Sequence, residues 1–213
     1  MIDNYICKCK KFNFKSKNLF YWEDRSTTSD EIDIINFLKK NFNLRNKTLL
    51  HIGIGNSEIA SKFSEIKKIF GITISNSEIQ KAKKLNIKNY EVYLCDKYSK
   101  TFIDKIKDIR FDLLIDPNLK SYSCCDESFN FMMNNLIKVL STNGIIITSR
   151  NGMNWYKKLK PKISFNFKHF FHFKLKEING DQKNQLSINE IKKFTNYHKL
   201  SLTYDERVLY LKK

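Results

Sequence analysis

Through the middle of this chain, short apolar runs alternate with apolar positions at helical spacing. Thr48-Leu49-Leu50-His51-Ile52 is too short for a helix and is ended by glycines, which predicts a buried strand of the kind parallel sheets use. Ile59, Phe63 and Ile66 then recur on one helical face. Ile69–Ile74 is a second strand, and Ser75 or Ser77 is placed to cap a helix carrying Ile79, Ala82 and Leu85. Tyr90–Cys95 is a third strand and Phe111–Ile115 a fourth, stopped by Asp116-Pro117. A helix over about 126–140 turns Phe129, Met132, Met133, Leu136, Ile137 and Leu140 inward. Asn143-Gly144 reads as a turn and Ile145–Thr148 as a fifth strand. Alternation of this kind predicts right-handed βαβ units and a mostly parallel sheet.

The flanks carry their own signals. Thr28-Ser29-Asp30-Glu31 is a capping box, and Ile32, Ile35, Leu38 and Phe42 behind it predict a helix of about 29–42. From 163 to 175 the residues alternate as in extended chain with one buried face, and Asn179-Gly180 is a hairpin-type turn. Ser187 and Glu190 form a second capping box for a helix of about 187–198, followed by two short strands over about 200–205 and 207–212. The 213 residues fit one domain: an N-terminal arm and helix (1–46), a core (47–150), an aromatic insertion (151–186) and a C-terminal helix with hairpin (187–213).

Composition changes this picture little. The net charge of +17 is the sign that attracts nucleic acid, but the lysines are scattered and form no local block, so a nucleic-acid partner is not favoured. Five cysteines, an odd count with adjacent pairs, do not make a secreted disulfide framework. Cys7 and Cys9 with Cys124 and Cys125 match no compact zinc module, so no metal is expected. No apolar h-region follows Met1 and no apolar run approaches bilayer length, so a reduced, cytoplasmic protein without a membrane partner is the expectation.

Candidate chemistry concentrates at the first strand–turn. After a buried strand, Gly53 permits a tight turn and Gly55 lets the main chain approach a ligand with no Cβ in the way. A helix beginning near Asn56 presents free N–H groups there. Ser57 stands at the third glycine position and no Lys-Ser/Thr pair follows, which excludes a P-loop and leaves a nucleotide-like cofactor. Asp96 and Asp116 are acids at strand C-termini, where open α/β sheets bind ligands, although either can simply cap the next turn.

Leu50-His51-Ile52-Gly53-Ile54-Gly55-Asn56-Ser57 resembles the first motif of the class I S-adenosylmethionine-dependent methyltransferases. Gly71-Ile72-Thr73-Ile74-Ser75 with Ala82 resembles the end of their second strand and the next helix; Phe111–Asp116 and Asn143–Thr148 resemble their fourth and fifth. The resemblance covers nearly the whole chain except the N-terminal arm and the segment near 153–180. It implies a Rossmann-like sandwich with a mostly parallel seven-stranded sheet and a C-terminal antiparallel strand pair. It implies S-adenosylmethionine as cofactor, held by His51, Gly53, Gly55, Asn56, Ser57, Thr73, Ile74, Asp96 and Asp116, with Trp22 folding over it from the Tyr21–Arg25 segment. Asp116 would lie between cofactor and substrate, as a base or as a group that orients an amine or hydroxyl.

The chain departs from that family at two places. His51 stands where an acid usually orients the methionine end of the cofactor, and Thr73 where an acid usually accepts both ribose hydroxyls. The resemblance therefore implies a methyltransferase acting on a small molecule, with a catalytically degenerate cofactor-binding or regulatory subunit as the alternative. An RNA or DNA methyltransferase is suggested by charge alone, and Asp116-Pro117-Asn118-Leu119 is not the Asn-Pro-Pro-Tyr type of base-methylating motif. Arg150–Trp155 should open onto the active face, His169 reads as a core histidine rather than a metal partner of His172, and the 163–175 segment reads as a lid or an oligomer contact, with a homodimer among its outcomes.

Overall fold

A computed structural model describes residues 24–154 and 185–213. Trp22, Cys7, Cys9, His169, His172, the 163–175 alternation and the Asn179-Gly180 turn lie outside the described residues. Seven strands form one sheet: β1 (Thr48–Ile52), β2 (Lys68–Thr73), β3 (Tyr90–Leu94), β4 (Phe111–Ile115), β5 (Leu140–Ser149), β6 (Ser201–Tyr204) and β7 (Val208–Lys212). Their order is β3-β2-β1-β4-β5-β7-β6, parallel through β5, with β7 antiparallel to both β5 and β6. The helices are α1 (Ser29–Asn41), α2 (Glu58–Lys62), α3 (Asn76–Lys84), α4 (Lys100–Ile106), α5 (Asp126–Val139) and α6 (Ile188–His198).

Side chains of a strand point alternately to its two faces, and each face here has its own core. Leu50, Ile52, Phe70, Ile72, Leu114 and Ile146 pack with Phe102, Ile106, Met132, Met133, Leu136 and Ile191 from α4, α5 and α6. Leu49, Ile69, Leu113, Ile115, Ile145 and Ile147 pack with Ile34, Ile35, Leu38, Ile59 and Ala60 from α1 and α2. Both faces of the central strands are therefore covered, which is why they read as continuous apolar runs. Each fully buried Leu, Ile or Phe contributes roughly 1.5–3 kcal/mol. The outer strands β3 and β6 are more exposed, as edges are.

Both capping boxes form as the sequence predicts, Thr28 with Glu31 and Ser187 with Glu190. Two local expectations are corrected, and one helix is added. The helix after β1 is only Glu58–Lys62; Phe63 and Ile66 are buried beyond its end rather than on its face. The sequence reading did not include α4, although Ser99 caps it and Phe102 and Ile106 bury at helical spacing. Asn143-Gly144 does not separate helix from strand but lies inside β5. Leu140 opposes Phe111 while Ile145 opposes Leu113, so the extra residues bulge out and Asn143 takes φ 68°.

Candidate functional site

Strand order reverses direction at β1, which has β2 on one side and β4 on the other. Crossovers leave to opposite faces at such a point, and a crevice opens at the strand C-termini. The crevice is present as a cleft enclosing about 1250 Å³ of empty space, its mouth included. Ile52 and Gly53 after β1, Thr73 and Ile74 after β2, Asp96 and Lys97 after β3, and Asp116 after β4 line it. The segment leading into α1 covers one side with Ser26 and Thr28, joined by Asp30 and Glu31 from the first turn of α1.

The glycine turn has the predicted character. Gly53 has φ 77° and Gly55 φ 49°, conformations a side chain disfavours, and nothing lies within 4 Å of where a Cβ on Gly53 would be. Asn56 lines the cleft and spends its amide N–H bonds on the Arg25 carbonyl (3.2 Å) and Thr27 Oγ1 (3.1 Å), tying the covering segment to the turn.

Gly53, Gly55, Asn56, Thr73, Ile74, Asp96 and Asp116 thus come together around one cavity. Two other predicted residues do not line it. Ser57 is fully buried with φ 64°, and its hydroxyl pairs with Tyr90 Oη at 3.2 Å. His51 shares the Leu49 face of β1 and is fully buried, its ring 4.0 Å from Glu31 Oε1. Burial disfavours the charged ring and pushes its pKa down to about 3, so it is neutral.

The two carboxylates that the β1 and β2 positions lack are present in space, delivered by helices. Glu78, in the first turn of α3, is buried, lines the cleft and accepts a 2.5 Å hydrogen bond from Thr73 Oγ1. Glu31, in the first turn of α1, lines the cleft against His51. Burial raises the Glu31 pKa, partly opposed by its hydrogen bonds from Thr28. In the sequence Glu31 is accounted for by its capping box, and Glu78 belongs to no motif that singles it out.

Lys97 was likewise missed. Its Nζ is buried and donates to Asp116 Oδ2 (2.7 Å), the carbonyls of Asn118 (3.0 Å) and Leu119 (3.1 Å), and Ser121 Oγ (3.4 Å). Asp116 Oδ1 accepts from the Asn118 N–H at 3.2 Å. Tyr98 Oη adds a 2.8 Å bond to the Ser121 carbonyl, so the loop after β4 is fastened to the loop after β3. Asp96 Oδ1 accepts from the Tyr98 N–H at 3.0 Å. Arg150 lies beyond β5 with its guanidinium 5.2 Å from the centre of the Tyr204 ring and does not line the cleft.

The lining is acidic. Asp30, Glu31, Glu78, Asp96 and Asp116 surround the cavity with Lys97 as the one lining ammonium among the described residues, and that ammonium is already paired.

A mostly parallel seven-stranded sheet, a glycine-lined cleft at its switch point and a terminal antiparallel pair define the class I methyltransferase form of the Rossmann-like fold. Comparison with solved structures bears this out. DhpI in complex with S-adenosylhomocysteine superposes with a TM-score of 0.58 at 15% identity, covering 86% of this chain and 83% of that one. The N-methyltransferase NodS of Bradyrhizobium japonicum WM9, with S-adenosyl-L-homocysteine, gives 0.55 at 12%, covering 93% and 92%. The [4+2]-cyclase SpnF gives 0.53 at 14%, covering 86% and 63%. At such identities the likeness establishes the fold. No family model and no curated protein sequence matches the chain. No helix among the described residues is long and apolar enough to cross a membrane.

Proposed function

We propose that the chain is an S-adenosylmethionine-dependent methyltransferase acting on a small molecule. The observation that carries this reading is the sign of the cavity: a chain of net charge +17 has an acidic cleft at the switch point of its sheet. A dinucleotide would set its pyrophosphate against those carboxylates, whereas a cationic sulfonium with an ammonium group is attracted by them. The open space over Gly53 suits close approach of a ligand to the main chain. The complexes of DhpI and NodS with S-adenosylhomocysteine support the same ligand class.

When bound, S-adenosylmethionine supplies an electrophilic methyl group on sulfur, so positioning of the two reactants carries much of the rate. Glu78 and Thr73 carry the oxygens nearest the ribose position: Thr73 gives its own proton to Glu78 and accepts the Ser75 N–H at 3.0 Å, so the carboxylate is the stronger acceptor of the two. Asp96, after β3, suits the adenine side. Asp116 has both oxygens engaged, one by Lys97 and one by the Asn118 N–H. That supports a positioning role, in which a fixed negative charge holds an amine or hydroxyl acceptor in line with the methyl group.

Calorimetry with S-adenosylmethionine and S-adenosylhomocysteine, followed by transfer of labelled methyl to a panel of small amines and alcohols, tests the reading. Binding with turnover supports it, and no binding of either compound overturns it. The likeness to a [4+2]-cyclase favours one second reading, a cofactor-binding protein without methyl transfer. Binding without turnover across the panel would select that reading.

A further inference from the structure

Strands β1 to β5 run parallel, so each enters the sheet at the edge opposite the cleft, and β7, antiparallel to β5, ends there. That edge collects cations. Arg45 and Lys47 precede β1, Lys67 precedes β2, Lys88 precedes β3 and Arg110 precedes β4. Lys199 precedes β6, and Lys212 and Lys213 stand at the end of β7, with Lys212 directly opposite Ser201. Neighbouring entries touch: the Lys67 N–H donates to the Lys47 carbonyl at 3.0 Å. Lysines scattered along the sequence are therefore gathered by the topology. Charge separates along the strands, with acids lining the cleft and cations at the far edge.

Arg45, Lys67, Lys88, Arg110, Lys199 and Lys212 are exposed, and among the described residues they form no ion pair. Acids offset part of the remaining charge. Asp112 pairs with Lys47, Glu91 with Lys68 and Asp104 with Lys107, and Glu65 and Asp108 lie in the same turns. A lysine in a helix's last turn is explained by the helix dipole, as for Lys39, Lys62 and Lys138. The dipole's reach ends within that turn, and Arg45, Lys67, Lys88 and Arg110 lie beyond it.

An aromatic platform borders the same edge. Tyr197, in the last turn of α6, is 83% exposed, and its ring meets His198 edge-on at 4.8 Å. His198 lies in turn 4.4 Å from the Phe194 ring. Asn130 and Asn134 of α5 line the groove beside these rings, and the acids at its other end, Asp126 and Glu190, are both engaged by Lys120. We propose that this edge binds single-stranded nucleic acid, with phosphates along the cations and a base stacked on Tyr197. From β3 to β6 the edge spans roughly 29 Å, the length of about eight nucleotides stacked as in one strand of a duplex. A single strand fits better than a duplex, because its bases can leave their neighbours and stack on an exposed ring. It fits better than a lipid surface, which takes a whole apolar face, whereas Leu85 and Tyr197 are the large hydrophobics exposed at this edge among the described residues. The edge lies at the opposite strand ends from the cleft, so it holds a partner and not the methyl acceptor, whatever the cleft binds.

The test is fluorescence anisotropy of the full chain with a labelled single-stranded RNA of about ten nucleotides, and with the duplex of the same length. The single strand should bind more tightly, with a slope of log affinity against log salt of about −3, that of roughly four phosphate contacts. Lys88→Glu/Arg110→Glu should weaken binding at least about tenfold and flatten the slope. Lys100→Glu/Lys192→Glu makes the same change of net charge away from that edge, also at exposed positions, and should leave binding within about threefold. Tyr197→Ala should weaken it about tenfold with the slope unchanged, the loss of one stacked base. Absent or salt-independent binding overturns the inference, as do a preference for duplex, equal losses in the two charge variants, and an unaffected Tyr197→Ala. Capture by phosphatidylserine vesicles without RNA binding would assign the edge to a lipid surface and overturn it too. The wild-type salt slope and strand preference decide the matter even where a variant fails to fold.

Discussion

Lys97 Nζ lies 2.7 Å from Asp116 Oδ2, and both side chains are buried between the loops that follow β3 and β4. Removing one member of such a pair leaves a buried charge uncompensated, which typically costs about 3–5 kcal/mol. Lys97→Met should therefore lower the unfolding free energy in urea at pH 7 by roughly that amount. Lys97→Met/Asp116→Asn should recover part of the loss, since no unpaired carboxylate remains. A single variant as stable as the wild type would mean that the loop after β4 does not depend on the ion pair.

Thr73 and Glu78 share a short hydrogen bond at the lip of the cleft. Glu78→Gln should weaken S-adenosylhomocysteine binding about tenfold, the scale of one hydrogen bond to a charged group. Thr73→Val should weaken it less, because the carboxylate remains. Calorimetry checks the order of the two effects, and melting curves separate ligand loss from fold loss. An unchanged affinity in Glu78→Gln removes Glu78 from the ribose assignment.

Gly152 follows β5 and touches the loop that carries Asp116. A Cβ on Gly152 would fall 1.8 Å from the Pro117 carbonyl oxygen, and main chain cannot give way as a flexible side chain can. Gly152→Ala should destabilise the protein by roughly 3 kcal/mol or more and disturb the acceptor side of the cleft. Gly53→Ala has space but requires φ 77°, a left-handed strain of about 1–2 kcal/mol. Its larger effect should be on cofactor affinity, through the approach of a ligand to the main chain. Thermal melts paired with calorimetry distinguish these patterns.

His51 makes stability depend on pH. Its folded pKa, about 3, lies below the ordinary histidine value of 6.5, so between these values the unfolded chain binds the extra proton. Stability contributed by the neutral buried ring is complete above pH 6.5 and declines as pH falls, by up to about 1.4 kcal/mol per pH unit. Glu31 acts in the opposite sense: its raised pKa lets the folded state take up a proton first on acidification from neutral pH, offsetting part of the loss. From pH 7 to 5 the His51 contribution amounts to at most about 2 kcal/mol, and His51→Gln should lack it. Urea unfolding at both pH values, wild type against variant, measures the difference.

Much of this was legible in order along the chain. Short apolar runs marked the five parallel strands, and helical spacing with capping boxes marked α1 and α6, because each signal lies within one element and reflects which faces are buried. The glycine turn and the acids at positions 96 and 116 were legible for the same reason: a strand end delivers its next residue to the crevice whatever the rest of the chain does. The bulge inside β5 was not. An Asn-Gly pair meets the same backbone demand in a turn as in a bulge, and only the pairing of Phe111 with Leu140 tells them apart.

The cleft's acids show where local reading stops. The sequence by itself determined the fold class, the position of the crevice and the fact that residues 51 and 73 carry no carboxylate. Only the tertiary structure decided that carboxylates line the crevice regardless: Glu31 and Glu78 reach it from the first turns of α1 and α3, and Lys97 reaches Asp116 from the loop after β3. In sequence, Glu31 is a helix cap and Lys97 one lysine among many, since a side chain's local pattern reports its own element. Which charges meet across a cavity depends on how separate elements pack against the sheet, and that is settled by distances no local spacing encodes.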